Sequence, residues 1–261
     1  MAMQQNPANF SGATSAGAAA STVDPAEITK FSKLSDEWWD PNGKMAPLHK
    51  INPLRLTYIR DAACRKFERN AKSLNCLSGL RILDIGCGAG LLCEPLTRLG
   101  AQVIGIDPSA TNIAAARLHA DKGHLSIDYR CTSVEEMDVR ERFDIVLAME
   151  VIEHVTDVGT FLNRCAAMLK PGGLMVVSTI NRTWKSFALA IVGAEYILRW
   201  LPRGTHQWGK FVTPAELAQH LHKSRLEIAE QTGVVYTPFA DRWSLSTDMD
   251  VNYMVTVEAY G

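Results

Sequence analysis

Two groups of residues in this chain have the types and spacing to do chemistry. One is the run Asp84-Ile85-Gly86-Cys87-Gly88-Ala89-Gly90, where an acid near the end of an apolar stretch is followed by alternating glycines. A further acid, Asp107, closes another apolar stretch about 20 residues on. The other group is Met149-Glu150-Val151-Ile152-Glu153-His154, which gathers two carboxylates and an imidazole. Glycine has no Cβ, so a glycine-dense turn lets backbone approach a ligand closely. A carboxylate closing the next strand can accept both hydroxyls of a ribose. The competing assignment for Asp107 is the cap of a helix over residues 111–119. In the second group a carboxylate or imidazole can move a proton, and carboxylate oxygens can hold Mg²⁺. If Glu150 begins a helical turn, Glu150, Glu153 and His154 share one side, because i, i+3 and i+4 are neighbours. Imidazole is by preference a poor Mg²⁺ ligand, which counts against a full three-residue metal site. The alternative is that Glu150 caps the next helix and His154 packs on a carbonyl.

These residues need strands to carry them. Residues 81–85, 103–107, 126–130, 143–149 and 174–179 read as short apolar strands, and 94–99, 111–120 and 158–169 as the helices between them. Strands alternating with helices imply a parallel sheet with right-handed crossovers, whose ligands bind at the carboxyl ends of the strands. Leu169-Lys170-Pro171-Gly172-Gly173 reads as a helix stop and tight turn. Thr213 caps a further helix over 214–223, residues 226–235 and 251–260 read as closing strands, and 236–250 as irregular. The glycine pattern lacks the third glycine of a dinucleotide fingerprint and the Lys-Ser/Thr of a phosphate loop. A ligand with ribose and adenine but no phosphate fits better, and S-adenosylmethionine is such a ligand. Ahead of the first core strand, Asp24 and Pro25 start a helix running toward Trp39, with Phe31, Leu34, Trp38 and Trp39 on one face. A second helix over 54–72, after Pro53, turns Leu56, Ile59, Ala63 and Phe67 inward, and both can fold over the ligand mouth as a cap.

The runs Leu83–Gly90, Gly105-Ile106-Asp107, Phe143-Asp144-Ile145-Val146 and Leu169–Gly173 make the chain resemble the class I S-adenosylmethionine-dependent methyltransferases over roughly residues 79–180. The fold this implies is α/β: a doubly wound, Rossmann-like, seven-stranded and mostly parallel sheet with an N-terminal helical cap and a lid insertion. A closer resemblance rests on residues 49–56, 149–155, 178–182, 192–199, 202–206 and 251–254, from His49-Lys50-Ile51-Asn52-Pro53-Leu54-Arg55-Leu56 to Val251-Asn252-Tyr253-Met254. Over these stretches the chain is similar to the ubiquinone biosynthesis O-methyltransferases. That resemblance implies methylation of a polyprenyl catechol (2-polyprenyl-6-hydroxyphenol) and of 3-demethylubiquinol. It implies Arg55, Gly86, Asp107 and Met149 as cofactor contacts, to which Asp84 and Gly88 are added from the glycine turn. It also implies Mg²⁺ at Glu150, Glu153 and His154 in one branch of the family. Chemically, Arg55 can pair with a carboxylate through its planar fork, and Met149 suits an adenine face. A phenol ionises near 10, so a base must favour the phenolate at neutral pH. His154 is the first candidate, with Glu150 or Glu153 behind it. The alternatives are a methyltransferase of another small phenol or amine, and a non-catalytic S-adenosylmethionine-binding scaffold.

The formal net charge of −1 provides no basic field for nucleic acid. Six scattered cysteines with no CxxC pair argue against a zinc site or disulfide framework and fit a reducing cytosol. The expected organisation is a disordered tail (1–23), the helical cap (24–78), the S-adenosylmethionine-binding core (79–180), an apolar insertion (181–210) and a closing helix with strands (211–261). The tail has neither the basic and apolar regions of a secretory signal nor the arginines of a transit peptide. Residues 186–201 are apolar nearly all round with Lys185, Arg199 and Arg203 at the ends, but Glu195 interrupts the run. It is shorter than the roughly 20 apolar residues of a spanning helix. It reads either as a lid buried on its own core or as an interfacial helix. The expected setting is cytoplasmic, peripheral to the inner face of a membrane. The expected partners are a polyprenylated phenol or quinol substrate, the membrane surface and other ubiquinone-biosynthesis enzymes.

Overall fold

The computed structural model describes residues 22–26, 38–188 and 207–259. Helix α1 (Ala46–Lys66) leads into β1 (Arg81–Ile85), α2 (Cys93–Arg98), β2 (Gln102–Asp107), α3 (Ala110–Lys122), β3 (Asp128–Cys131) and β4 (Phe143–Met149). A 3-10 turn (Ile152–His154) and α4 (Val158–Met168) precede β5 (Leu169–Ile180). The chain closes with α5 (Pro214–Lys223), β6 (Leu226–Thr237), β7 (Arg242–Ser246) and β8 (Asn252–Ala259). The sheet order is β3-β2-β1-β4-β5-β8-β6-β7. The first five strands pair in parallel and the last three antiparallel. The sheet therefore has eight strands, not seven. The extra one is β7, inside the stretch expected to be irregular. It is a short, half-exposed edge strand, and its turn carries Asp241 at φ 43 where a hairpin signal would place glycine.

Alternation along each strand feeds two apolar layers. Ile82 packs with Ile59, Ala63 and Leu147 on one face, while Leu83 and Ile85 pack with Phe161, Leu162 and Leu217 on the other. Parallel strands covered on both faces need such nearly continuous apolar runs. The expected helix stop at Leu169–Gly173 holds, since α4 ends at Met168, but the same residues also open β5, where the register to β4 shifts between Phe143↔Leu169 and Ile145↔Leu174. The five-residue run is thus an irregularity within one strand.

Helix α1 starts earlier and ends earlier than residues 54–72. Pro47 lies in its first turn, where a missing N–H costs nothing, and Pro53 is carried inside the helix. The end is set by Glu68, which takes a left-handed φ of 52. Ile59 and Ala63 are buried as expected and Leu56 and Phe67 only half-buried, while Arg55, Tyr58 and Ala62 join the buried face. Of the expected first helix, residues 27–37 lie outside the described residues, as does residues 1–21 of the expected tail. Thr22 and Val23 belong to the packed structure rather than to a tail. Thr22 Oγ1 donates to Glu135 at 2.5 Å, and Val23 forms a β-bridge with Val155. Residues 189–206 of the apolar insertion also lie outside the described residues. Among the described residues no helix is long and apolar enough to cross a membrane. All six cysteines are free thiols.

Candidate active site

The sheet order reverses between β1 and β4, so the segments leaving their carboxyl ends open side by side. The glycine turn leaves β1, and the Glu150–His154 segment leaves β4.

In the turn, Gly86, Gly88 and Gly90 have φ of 68, 55 and 85, a region that L side chains rarely enter. A Cβ on Gly88 would lie 2.6 Å from Trp38 Cη2, so the indole of the cap sits directly on this glycine. The Gly88 N–H donates to Asp107 Oδ2 at 3.0 Å, which ties the turn to the end of β2. Asp107 Oδ1 accepts from the Ser109 N–H at 2.8 Å and from Asn112 Nδ2 at 3.2 Å. The N-cap of α3 is Ser109, whose hydroxyl accepts from the Asn112 N–H, so Asp107 is not the capping residue. Burial raises the Asp107 carboxyl, while donation from Ser109, Gly88 and Asn112 opposes that rise.

Asp84 lies behind the turn, fully enclosed, and accepts from the Cys93 thiol at 3.1 Å. Burial pushes its carboxyl up to about 7; the charge of Asp107 adds to the rise, and the Cys93 bond and Arg55 oppose it. Cys87, inside the turn, is buried with its thiol pushed up by that burial, as befits a packing residue rather than a nucleophile.

Glu150 is the first residue after β4 and holds φ 57, uncommon for a residue with a side chain. Its N–H donates to the Ser178 carbonyl at 3.0 Å, and its Oε1 accepts from Ser178 Oγ at 2.7 Å. The same oxygen pairs with Arg55 at 2.9 Å. Arg55 comes from α1, so this buried ion pair joins the cap to the loop. Glu153 is 3% exposed, accepts from Thr179 Oγ1 at 2.7 Å, and is held well above the usual carboxylate range, first by burial and then by the charge of Glu150. His154 ends the 3-10 turn and is half-buried, one residue from the Val23–Val155 bridge. Met149 is buried at the end of β4.

The structure thus brings Arg55 and Glu150 together, and Asp84, Gly88 and Asp107 together. Among the described residues no three His, Cys, Asp or Glu side chains are grouped to hold a metal. The left-handed turn at Glu150 breaks the assumed helical spacing, Arg55 and Ser178 both bind its Oε1, and Glu153 is buried against Thr179. Ser178, Thr179, Trp38 and Asn112 are site residues to which sequence spacing assigned no role. Their only signals were the run 178–182 and the Trp38-Trp39 pair.

Comparison with known proteins was consistent with this geometry. The methyltransferase domain family matches residues 56–231. A ubiquinone biosynthesis O-methyltransferase of Bradyrhizobium sp. (strain ORS 278) is 84% identical over 238 residues, covering 91% of this chain and 94% of that one. Another of that description, from Nitrobacter winogradskyi, is 76% identical over 261 residues and 100% of both chains. Among solved structures, magnesium protoporphyrin IX methyltransferase from Synechocystis PCC 6803, with bound SAH, superposes with a TM-score of 0.62 at 17% identity, over 89% of this chain and 95% of that one.

Proposed function

This chain belongs to the ubiquinone biosynthesis O-methyltransferases, and from that premise we propose that it methylates a phenolic hydroxyl of 2-polyprenyl-6-hydroxyphenol and of 3-demethylubiquinol. The enzyme is an S-adenosylmethionine-dependent O-methyltransferase of ubiquinone biosynthesis. The observation that carries the site assignment is the meeting of two segments at the carboxyl ends of β1 and β4. One offers bare backbone and a ribose acceptor, the other an imidazole and a carboxylate pair.

The residues present fit the methyl donor. Gly86 and Gly88 leave the turn without side chains, Asp107 offers carboxylate oxygens for ribose, and Met149 gives an apolar contact. When bound, S-adenosylmethionine supplies an electrophilic methyl group on a sulfonium. The protein's part is to hold the phenol oxygen in line and to remove its proton. His154 takes that proton in this reading, since an imidazole nitrogen can accept one at the end of the loop that leaves β4. Glu150 is fixed by Arg55 and Ser178 at the start of the loop. Glu153 positions the loop through Thr179. Arg55, which ties the cap to Glu150, would pair through its remaining N–H groups with the donor's carboxylate.

The acceptor's polyprenyl tail lives in lipid, which gives the apolar run 186–201 a purpose at the cytoplasmic face of a membrane. The aromatic residues beside it support that reading. Trp184 is 77% exposed and stacks on Trp208 with ring centroids 5.5 Å apart, and Phe187 meets it edge-on.

The test is transfer of radiolabelled methyl to a short-chain prenyl catechol, with and without EDTA. Labelled product at full rate in EDTA is the expected result. Activity lost in EDTA and restored by Mg²⁺ would mean that Glu150 exchanges Arg55 for a metal. No transfer to the catechol, with turnover of a soluble phenol or amine, would reject the acceptor. Binding of S-adenosylmethionine without any turnover would leave a scaffold.

A further inference from the structure

Asp107 already has several donors. Its Oδ1 accepts from the Ser109 N–H at 2.8 Å and Asn112 Nδ2 at 3.2 Å, and its Oδ2 from the Gly88 N–H at 3.0 Å. A carboxylate offers about four lone-pair sites. The protein's own donors leave room for one more, on Oδ2, whereas a ribose diol brings two hydroxyls. Ser109 and Gly88 donate from backbone that is fixed by the start of α3 and by the glycine turn. Asn112 donates from a side chain over the longest of the three distances, so it is the exchangeable donor.

The other end of that amide is held by the cap. Trp38 Nε1 donates to Asn112 Oδ1 at 3.2 Å, and both side chains are buried. Trp38 is anchored in turn. Its carbonyl accepts from His49 Nε2 at 2.8 Å, and its ring covers Gly88. The next residue, Trp39, stacks on His119 with centroids 3.5 Å apart and donates to the Ala89 carbonyl at 3.1 Å. A chain of contacts therefore runs from the cap through Trp38 and Asn112 to the ribose acceptor.

We propose that Asn112, oriented by Trp38, is a second ribose-recognition group that shares the diol with Asp107. One hydroxyl donates to the open site on Asp107 Oδ2. The other replaces the Asn112 amide on Oδ1, and the released Nδ2–H donates to a hydroxyl oxygen of the same diol. Because Trp38 commits Asn112 Oδ1 to its indole N–H, the amide cannot flip, and Nδ2 stays turned toward the sugar. Trp38 and Asn112 are then specificity-determining residues for the methyl donor. This rests on the reading that Asp107 holds ribose.

The experiment is calorimetric binding of S-adenosylhomocysteine and its 2′-deoxy and 3′-deoxy analogues to the full chain. The variants are Trp38→Phe, which keeps a ring over Gly88 but loses the N–H, and Asn112→Leu, which keeps the volume but loses the amide. The wild type is expected to prefer the parent nucleoside over at least one analogue by roughly tenfold or more, as befits a hydrogen bond to a charged group. Both variants should lose most of that preference while melting near the wild-type temperature. A merely structural role would weaken all three ligands alike and leave the preference intact, and that result overturns the proposal. If Asn112→Leu does not fold, Trp38→Phe decides alone. Asp107→Asn separates the two levels: if it keeps the wild-type preference, or if the wild type shows none, the ribose reading itself fails and the proposal falls with it.

Discussion

Burial lifts the Asp84 carboxyl to about 7, with the charge of Asp107 adding to the rise, whereas in an unfolded chain it ionises near 3.9. Between those values the folded protein keeps a proton that the unfolded chain has released. Stability falls with rising pH wherever the native state binds more protons. The Asp84 penalty is therefore absent below about pH 4 and complete above about pH 7. Asp84→Asn keeps the shape and cannot ionise. Its stability relative to wild type should rise between about pH 4 and pH 7, by at most about 4 kcal/mol, as read from paired melting curves. A difference that does not change with pH would show that Asp84 ionises normally. Glu153, whose carboxyl burial also pushes up, should tolerate Glu153→Gln with kcat within about threefold, while His154→Ala should lower kcat by roughly 10²-fold and spare cofactor affinity. Normal turnover by His154→Ala would remove the imidazole as base. A large loss in Glu153→Gln would mean that its charge is used. Asp84, Gly88 and Asp107 were legible in the sequence because their spacing along β1 and β2 is set locally. The Arg55–Glu150 pair and the Trp38–Asn112 bond were not, because they join residues about 70 to 95 positions apart that only tertiary packing brings together.

Elements whose ends carry their own chemistry were legible to within a residue or two. Helix α5 is the clearest. Thr213 Oγ1 accepts from the Glu216 N–H at 3.2 Å, and Glu216 Oε2 accepts from the Thr213 N–H at 2.9 Å, which closes a capping box ahead of Pro214. Leu217 and Leu221 then face the core. Thr213→Ala should cost about 1 kcal/mol in denaturant unfolding, with no change in the slope of the transition. An unchanged midpoint would mean that packing of the two leucines alone holds the helix. Elements that the surrounding fold overrides were misplaced. Pro53 reads as a boundary, yet α1 passes through it because its buried face against the sheet outweighs one lost backbone bond. β7 has no such face, and only pairing with β6 makes it a strand.

At the scale of the whole molecule, the carboxyl edge of the sheet gathers everything that must meet. β5 ends at Ile180 on that edge, next to the end of β4, and the chain then leaves toward the apolar run. It returns at Trp208, whose Nε1 donates to the Thr183 carbonyl at 3.1 Å, and Val212 bonds back to the Ile180 carbonyl. The chain thus leaves at residue 188 and returns at residue 207 on the same edge as the Glu150–His154 loop. A membrane contact made through the run 186–201 would bring the reactive edge to lipid, where a polyprenyl tail is held. Each buried CH₂ contributes roughly 0.8 kcal/mol, so Phe187 and Ile191 together can provide useful affinity. Cations near an anionic surface add about 1 kcal/mol each, weakened by salt. Lys185 adds less, because Asp248 and Asp250 already pair with it. The expected behaviour is reversible, salt-sensitive sedimentation with anionic liposomes. Phe187→Asp with Ile191→Asp should release the protein while S-adenosylmethionine binding stays intact, and should slow a long-tailed acceptor more than a short-tailed one. A wild type that ignores anionic vesicles at low salt, or a double variant that slows both acceptors equally, would make the run a lid closed on its own core, with the tail entering from solution instead.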